Sequence, residues 1–508
     1  MKIERTKNAT KNIVFGVILK MYQIIVPFVI RTILIYFLGV EYLGLNSLFT
    51  SILQVLNLAE LGVGSAMVFS MYKPIAEDDS KKICALMNLY KIYYRIIGII
   101  VLILGVIICP FVPYLIKGKV PANLNVYILY ILNLLATVFS YWLFAYKNSI
   151  LQAHQRQDVI SKVTIVVNTL MYILQIIGIC VFKNYYLYVI LLLLGQIFVN
   201  IFTAYESNKL YPNYEAKGNL DKKEVKKINQ RVKDLITSKV GSIIINSADS
   251  IVISAFLGLS TLAIYENYYY ILKSIISMLT VIFASCTAGI GNSLIVETNK
   301  KNYNDLKKFT FIIAWGAGFC SVALLCLYQT FMKIWVGEQL LLDFSCVVCF
   351  VVYFFVYEIN ALLNLYKDAA GIWHKDRFRP LVTALSNLLL NLILVNIIGL
   401  YGVLLSTVLT MLGIGLPWII HNLFTEIFKN NSKEYIKRLL YYSFVTVIVV
   451  AITYYICEIV KGDTIITLII KGIICTVVSN ILYFAAYHKL NEFGETKKLF
   501  FKMLKIKK

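Results

Sequence analysis

The sequence predicts an all-α integral membrane protein of about fourteen transmembrane helices, arranged as two parallel six-helix lobes plus two extra C-terminal helices. Three observations carry this reading. Hydrophobic residues make up 59% of 508 and charged residues only 15%, against about 25% charged in an ordinary soluble domain. Apolar runs long enough to cross a bilayer, roughly 20 residues each, recur along the whole chain. Several short strings in the first half return in the second at a shift of 219 residues. With a mean hydropathy of +0.75, the solvent for most of this chain is lipid.

Fourteen runs meet the length requirement: 12–37, 43–70, 86–109, 124–146, 160–182, 185–206, 236–257, 264–295, 308–331, 344–367, 380–397, 400–423, 440–460 and 464–487. Helix is the form each should take, because hydrocarbon offers free backbone groups no partner. The strictly alternating segments of a β-barrel are absent. The first run follows Lys2, Arg5, Lys7 and Lys11 as a signal peptide would. It is too long, contains Arg31 and shows no small-residue cleavage site, so it reads as a retained span.

Basic residues set the orientation. Alternate connections collect about 38 Lys and Arg on one side, and about five on the other: Lys117, Lys119, Lys183, Lys333 and Lys461. One missed helix would scramble that skew. Both termini are therefore expected on the cytoplasmic side. The formal charge of +22 is a topology signal rather than a sign of nucleic-acid binding.

The ten cysteines lie mostly inside apolar runs. Cys346 and Cys349 have CxxC spacing, but they sit within FSCVVCF and read as small apolar residues of a helix. The four histidines lack ligand spacing, and no phosphate-cradling glycine loop, nucleophile elbow or HExxH pattern is present. No metal or cofactor is expected, and transport driven by ATP on this chain is excluded.

The repeat supports the two lobes. Phe37–Gly39 (FLG) recurs at Phe256–Gly258, Leu43 matches Leu262, and Asn168 matches Asn387 at the same shift. Six helices per half make the repeats parallel, which suits a rocking carrier. The expected organisation is an N-lobe at 1–206, a cytoplasmic amphipathic linker at 207–235, a C-lobe at 236–424, and residues 425–508 holding spans 13 and 14 and a basic tail. Val225, Ile228, Val232 and Leu235 fall on one face of the linker and lysines on the others. The tail stretch 497–508 is similar, and both should lie on anionic membrane lipids.

Polar residues inside spans are costly and normally face a cavity or a partner. In span 1, Gly16, Lys20, Gln23, Pro27 and Arg31 share one helical face, with Pro27 as a candidate hinge. Span 2 carries Asn46, Thr50, Gln54, Asn57 and Glu60; span 7 carries Lys239, Ser242, Asn246 and Asp249; span 10 carries Tyr353, Tyr357, Asn360 and Asn364, with Glu358 nearby. These stripes should line a cleft between the lobes. Arg31 and Lys20, with Lys273 in span 8, suit an anionic cargo, while Gln23, Asn46, Gln54, Asn57, Asn246, Tyr357, Asn360 and Asn364 suit hydroxyl-rich groups. Glu60 and Asp249 are candidates for coupling to H⁺ or Na⁺. The plainer readings are an Arg31–Glu60 ion pair or snorkelling for the arginine, and interhelical hydrogen bonding for the amides.

The string from Arg31 to Ala66, RTILIYFLGVEYLGLNSLFTSILQVLNLAELGVGSA, resembles the first hairpin of Wzx-type polysaccharide flippases. ILQAHQRQ from Ile150, AAGIWHKDRFRP from Ala369 and GLYGVLLSTV from Gly399 are similar to their places in that family. The family belongs to the multidrug/oligosaccharidyl-lipid/polysaccharide (MOP) exporter superfamily. The resemblance implies two six-helix lobes in a MATE-like V shape around a cationic central cavity. It also implies transfer of undecaprenyl-pyrophosphate-linked oligosaccharides from the inner to the outer leaflet of a bacterial cytoplasmic membrane. A polysaccharide polymerase and glycosyltransferases are the implied partners. Arg31 matches the cavity arginine that such flippases place on their first helix. The equivalent position in the second half is Ser250 beside Asp249, so a symmetrical arginine pair is not implied.

Two alternatives stay open within transport, a drug/cation antiporter and a lipid II flippase of the same superfamily. A cation antiporter should have an acidic cavity, whereas the deepest charge of span 1 is Arg31. An alternative from another class is a polytopic polysaccharide polymerase or ligase. Such enzymes should carry a large external loop with catalytic side chains, and the longest external loop here, about 110–123, is short and lacks carboxylates.

Overall fold

A computed structural model describes residues 5–60, 62–118 and 120–503, and all the regular elements among them are helical. The chain forms two compact units, Met1–Ala263 and Ile264–Lys508. The first contains α1 (Arg5–Phe37), α2 (Val40–Leu56), α3 (Val63–Ala76), α4 (Ser80–Ile108), α5 (Val126–Trp142), α6 (Asn148–Ala153), α7 (Gln157–Cys180), α8 (Tyr185–Leu210) and α9 (Lys222–Leu257). Helix α10 (Leu259–Val296) carries the chain into the second unit. That unit continues with α11 (Asn299–Val336), α12 (Phe344–Ala370), α13 (Trp373–Asp376), α14 (Arg379–Thr410), α15 (Leu416–Leu423), α16 (Lys433–Ile459), α17 (Ile465–Tyr487) and α18 (Asn491–Met503).

Every expected span coincides with helix, but the spans are not fourteen clean rods. Among the described residues nine helices are long and apolar enough to cross a membrane, and ten if the bent pair Val126–Trp142 and Ala145–Ala153 counts as one. Spans 11 and 12 run together as Trp373–Phe428. The break between them is still visible in the backbone, where Ile398 and Gly399 leave helical φ/ψ. Span 2 is divided by a 3₁₀ turn, Asn57–Glu60, and by Gly62 in the left-handed region at φ 88°. The segment around 219–236 differs from expectation. Rather than a separate surface helix, it is the first part of α9, with Ile228 buried. It is tied to α4 by a Lys82–Glu224 ion pair and by Tyr93 Oη donating to Asn229 Oδ1 at 2.5 Å.

In the first unit α7 packs between α1 and α8, α5 between α4 and α8, and α9 against α2. In the second, α11 is the hub on which α12, α16, α17 and α18 pack. Phe311 of α11 meets Tyr487 of α17 edge-on there, and Trp315 packs tilted against Tyr483 and edge-on against Tyr487. Apolar side chains also cover the outside: Ile103, Val106 and Ile107 of α4, and Phe444 and Val447 of α16, are more than half exposed. Such a surface suits lipid and would be insoluble in water. This is a multi-pass membrane protein.

Candidate functional site

The stripe that begins in α2 builds the site. Helical spacing brings Thr50 and Gln54 to one face, and the 3₁₀ turn then swings Asn57 and Glu60 to the same side. Non-helical backbone at such a position is tolerated where it lines a wet cavity. Here it does. A cavity of about 520 Å³ lies inside the first unit, walled by Gln54, Asn57 and Glu60, by Asn133, Thr137, Ser140 and Tyr141 of α5, by Asn148 of α6, and by Gln196 and Asn200 of α8. Two tyrosines fix the carboxylate: Tyr94 Oη donates to Glu60 Oε1 and Tyr141 Oη to Glu60 Oε2, each at 2.8 Å. Tyr90 Oη in turn donates to Tyr94 Oη at 2.6 Å. Some wall amides are spent on backbone carbonyls, Asn133 on Leu129 and Asn200 on Ser140. Others are not: Asn57 Oδ1 and Asn148 Oδ1 are buried without a partner among the described residues. Orphaned acceptors on a cavity wall are places for hydroxyl donors, whether water or cargo.

Of the expected site residues, Gln54, Asn57 and Glu60 meet at this cavity. Arg31, Lys20, Gln23 and Asn46 are not part of its wall, and its one charged side chain is Glu60. Arg31 is half-buried on α1, within electrostatic reach of Tyr188 on α8. Lys20 and Asn46 are half-buried and Gln23 is exposed. Pro27 lies inside α1, which runs through it as one helix. Lys273 is exposed on α10, beside the ring of Tyr269. Asp249 is buried on α9. Asn246, Lys239, Ser242 and Leu235, and Leu499, Phe500, Met503 and Leu504 of the tail, lie outside the described side chains. In the second unit, Asn360 Oδ1 on α12 is buried without a partner among the described residues and Tyr357 is half-buried. Asn364 serves a packed cluster instead, its Oδ1 accepting from Arg379 at 2.8 Å.

A family described as polysaccharide biosynthesis protein matches residues 9–287, more than half of the chain. The chain belongs to the polysaccharide biosynthesis protein family. No curated protein matches the sequence. In fold it is similar to the lipid II flippase MurJ in an inward closed conformation, with a TM-score of 0.69, 17% identity and coverage of 94% of this chain and 99% of that one. It is also similar to an inward-facing multidrug resistance MATE family transporter of the MOP superfamily, at 0.64 and 17%, over 77% and 92% of the two chains. The eukaryotic MATE transporter AtDTX14 matches at 0.58 and 12%, over 84% and 97%. The fold is therefore the all-helical one of MurJ and MATE transporters.

Within this family member, the structure adds to the sequence reading in three places: two tyrosines it passed over, the depth of Glu358, which it named only as a neighbour of the span-10 stripe, and a buried ion-pair cluster. Tyr94 and Tyr141 count as ordinary apolar residues of spans 3 and 4, and only the fold brings them to Glu60. Glu358 of α12 is 1% exposed, and neither carboxyl oxygen has a hydrogen-bond partner among the described residues. An isolated acid at that depth signals a proton or an absent partner. The third group is the Asp376 cluster. Arg379 Nε and Nη2 donate to Asp376 Oδ1 and Oδ2 at 2.7 Å each, Asn422 Nδ2 donates to Oδ1 at 2.9 Å, and Lys367 Nζ lies 3.7 Å from Oδ2. The basic residues of AAGIWHKDRFRP signalled topology, and the single Asp among them was the cue to a buried ion pair.

Proposed function

We propose that this chain is a flippase, not an enzyme, that moves undecaprenyl-pyrophosphate-linked oligosaccharide from the inner to the outer leaflet of a bacterial cytoplasmic membrane for cell-surface polysaccharide assembly. The observation that carries the reading is the cavity of the first unit, where amides, hydroxyls and phenols are gathered inside a lipid-facing helical body. Sugar hydroxyls leaving water lose hydrogen bonds worth several kcal/mol in hydrocarbon, and such a wall replaces them. The polyprenyl tail stays in the bilayer throughout. Arg31, with Lys20 on the same face of α1, is assigned to the pyrophosphate, which such groups hold by charge-assisted hydrogen bonds. Glu60 and Asp249 are the groups assigned to coupling with H⁺ or Na⁺, and no cofactor takes part. Anionic lipids at the basic loops, a polymerase and glycosyltransferases are the partners this role requires.

One observation favours a second reading, a drug/cation antiporter: the acidic side chain on the cavity wall is Glu60, with no basic residue beside it in that lining. A single assay separates the two. Purified protein in sealed vesicles is given a defined undecaprenyl-pyrophosphate oligosaccharide, and its appearance in the opposite leaflet is followed with a membrane-impermeant lectin. A cationic dye is followed in parallel. Lectin accessibility that rises with the parent and not with Arg31→Ala supports the flippase. Dye movement without glycan movement overturns it.

A further inference from the structure

The second unit contains a cluster that transport does not use. Cys326 of α11, Cys457 of α16 and Cys475 of α17 come from three different helices, yet their sulfur atoms all lie within 4.8 Å of one another. Cys457 Sγ and Cys475 Sγ are 3.8 Å apart. All three are buried, at 5%, 1% and 1% exposure, in the hub where the two appended helices pack on α11. The CxxC pair Cys346–Cys349, the more conspicuous in the sequence, has no such convergence.

The spacing is what a metal would need. A metal–thiolate bond of about 2.3 Å places the sulfurs of a trigonal site about 4 Å apart. Thiols in simple contact also lie about 3.6–4 Å apart, so it is the convergence of three from three separate helices, not one distance, that points to an ion. Donor type narrows the ion: sulfur ligands select soft metals such as Cu(I), whereas Zn(II) takes a fourth ligand. No histidine or carboxylate joins the three among the described residues, and burial withholds water. One cation is close. Lys471 lies one turn before Cys475 on α17, is itself buried, and has its Nζ 3.3 Å from Thr330 Oγ1 and 3.9 Å from Glu458 Oε1, so its charge is shared with that carboxylate. Its carbonyl accepts from Cys457 Sγ at 3.8 Å.

We propose that Cys326, Cys457 and Cys475 form a three-coordinate thiolate site for a soft monovalent metal ion, Cu(I), which clamps α16 and α17 to α11. Binding releases thiol protons and forms three copper–sulfur bonds, with no change of oxidation state. The site is independent of the cargo that the protein carries.

The test is an anaerobic Cu(I) titration of the reduced, full-length protein in detergent micelles against a competing chelator, read by near-ultraviolet thiolate-to-copper absorption. Alkylation mapping before and after loading identifies the ligands. The expected result is one Cu(I) per chain and protection of three of the ten cysteines, these three. Cys475→Ser should weaken binding at least about tenfold, while Cys84→Ser, Cys109→Ser and Cys180→Ser leave it unchanged. Absence of binding by the parent, protection of other cysteines, or a Cys457–Cys475 disulfide that persists under reduction and excludes copper each overturns the site. If the serine variant does not fold, the protection map of the parent decides alone.

Discussion

Ser260 Oγ donates a hydrogen bond to Glu41 Oε1 at 3.0 Å, and the two residues stand 219 positions apart, at the same place in two copies of one turn. Each copy begins Phe-Leu-Gly. Gly39 and Gly258 both adopt positive φ, at 125° and 97°, with ψ at 165° and 173°. Leu43 and Leu262, each four residues after its glycine, are both buried. The duplication is thus written in backbone conformation as well as in letters, and its two copies touch.

The contact is tight enough to predict a lesion. A Cβ on Gly44 would lie 2.3 Å from the Leu259 carbonyl oxygen, and backbone cannot move aside as a side-chain tip can. Gly44→Val should destabilise the first unit by about 1–3 kcal/mol. Ser260→Ala, which removes one hydrogen bond, should cost about 1 kcal/mol. Thermal unfolding followed by fluorescence-detected gel filtration would rank them, and equal melting temperatures would contradict the ranking.

Asp376 and Arg379 are 2% and 5% exposed, so their bidentate pair lies away from solvent. Breaking a buried pair from one side costs about 3–5 kcal/mol, since the surviving charge stays buried. Asp376→Asn leaves Arg379 without its carboxylate, while Lys367 keeps Asp368 at 3.0 Å, and should sharply reduce the folded yield. Arg379→Lys keeps the charge but loses the planar fork, and should also destabilise, though less. The checking measurement is the ratio of monodisperse to aggregated protein after extraction.

The helices were legible because lipid leaves hydropathy as the dominant signal, and the Gln54–Asn57–Glu60 stripe because helical spacing displays it. The turn that interrupts span 2 was legible only in part: the glycines at 62 and 64 offered a bending point, but the 3₁₀ turn Asn57–Glu60 before them and the choice of Gly62 for the left-handed position were not. Partners across the fold were equally hidden. The sequence offered Arg31 as an ion-pair partner for Glu60, and the carboxylate is instead held by two tyrosines, 34 and 81 residues away. Asp376 falls in the short stretch between spans 10 and 11, where charges are usually solvated, and it is buried because α13, which it ends, packs beneath α12, α14 and α15, whose Lys367, Arg379 and Asn422 meet it.

His154, in the turn between α6 and α7, gives a pH prediction. It is 4% exposed, its Nδ1 lies 2.9 Å from the Ile150 carbonyl, and its ring packs on Tyr211 at 4.2 Å. Burial holds the imidazole below its usual value of 6.5. As the pH falls through about 6.5, the unfolded chain takes up a proton before the folded one does, so stability is progressively lost below that point. His154→Phe keeps the packing and removes the titration. Melting temperature should fall less steeply with acid in this variant than in the parent, and parallel curves would refute the assignment.

Glu358 separates structure from function most directly. A buried carboxyl with neither oxygen partnered destabilises the state in which it is found, by about 1–3 kcal/mol for an unmade hydrogen bond and more if charged. From α11 the Cys320 thiol is the titratable neighbour, Tyr357 adjoins it on α12, and no charged group reaches it among the described residues. Glu358→Met preserves volume and should therefore raise the melting temperature. If the acid is present only for packing, transport should survive that change. The expectation is the opposite: a more stable protein whose vesicle transport no longer responds to an imposed proton gradient, because side chains kept at a cost in stability are kept for work elsewhere in the cycle. Glu358→Gln, which retains a polar head but cannot exchange a proton, should lose the gradient response without the full gain in stability. A destabilised Glu358→Met protein would show that the carboxyl has a partner after all. A stable and fully gradient-responsive one would remove Glu358 from the coupling mechanism and leave that role to Glu60 and Asp249.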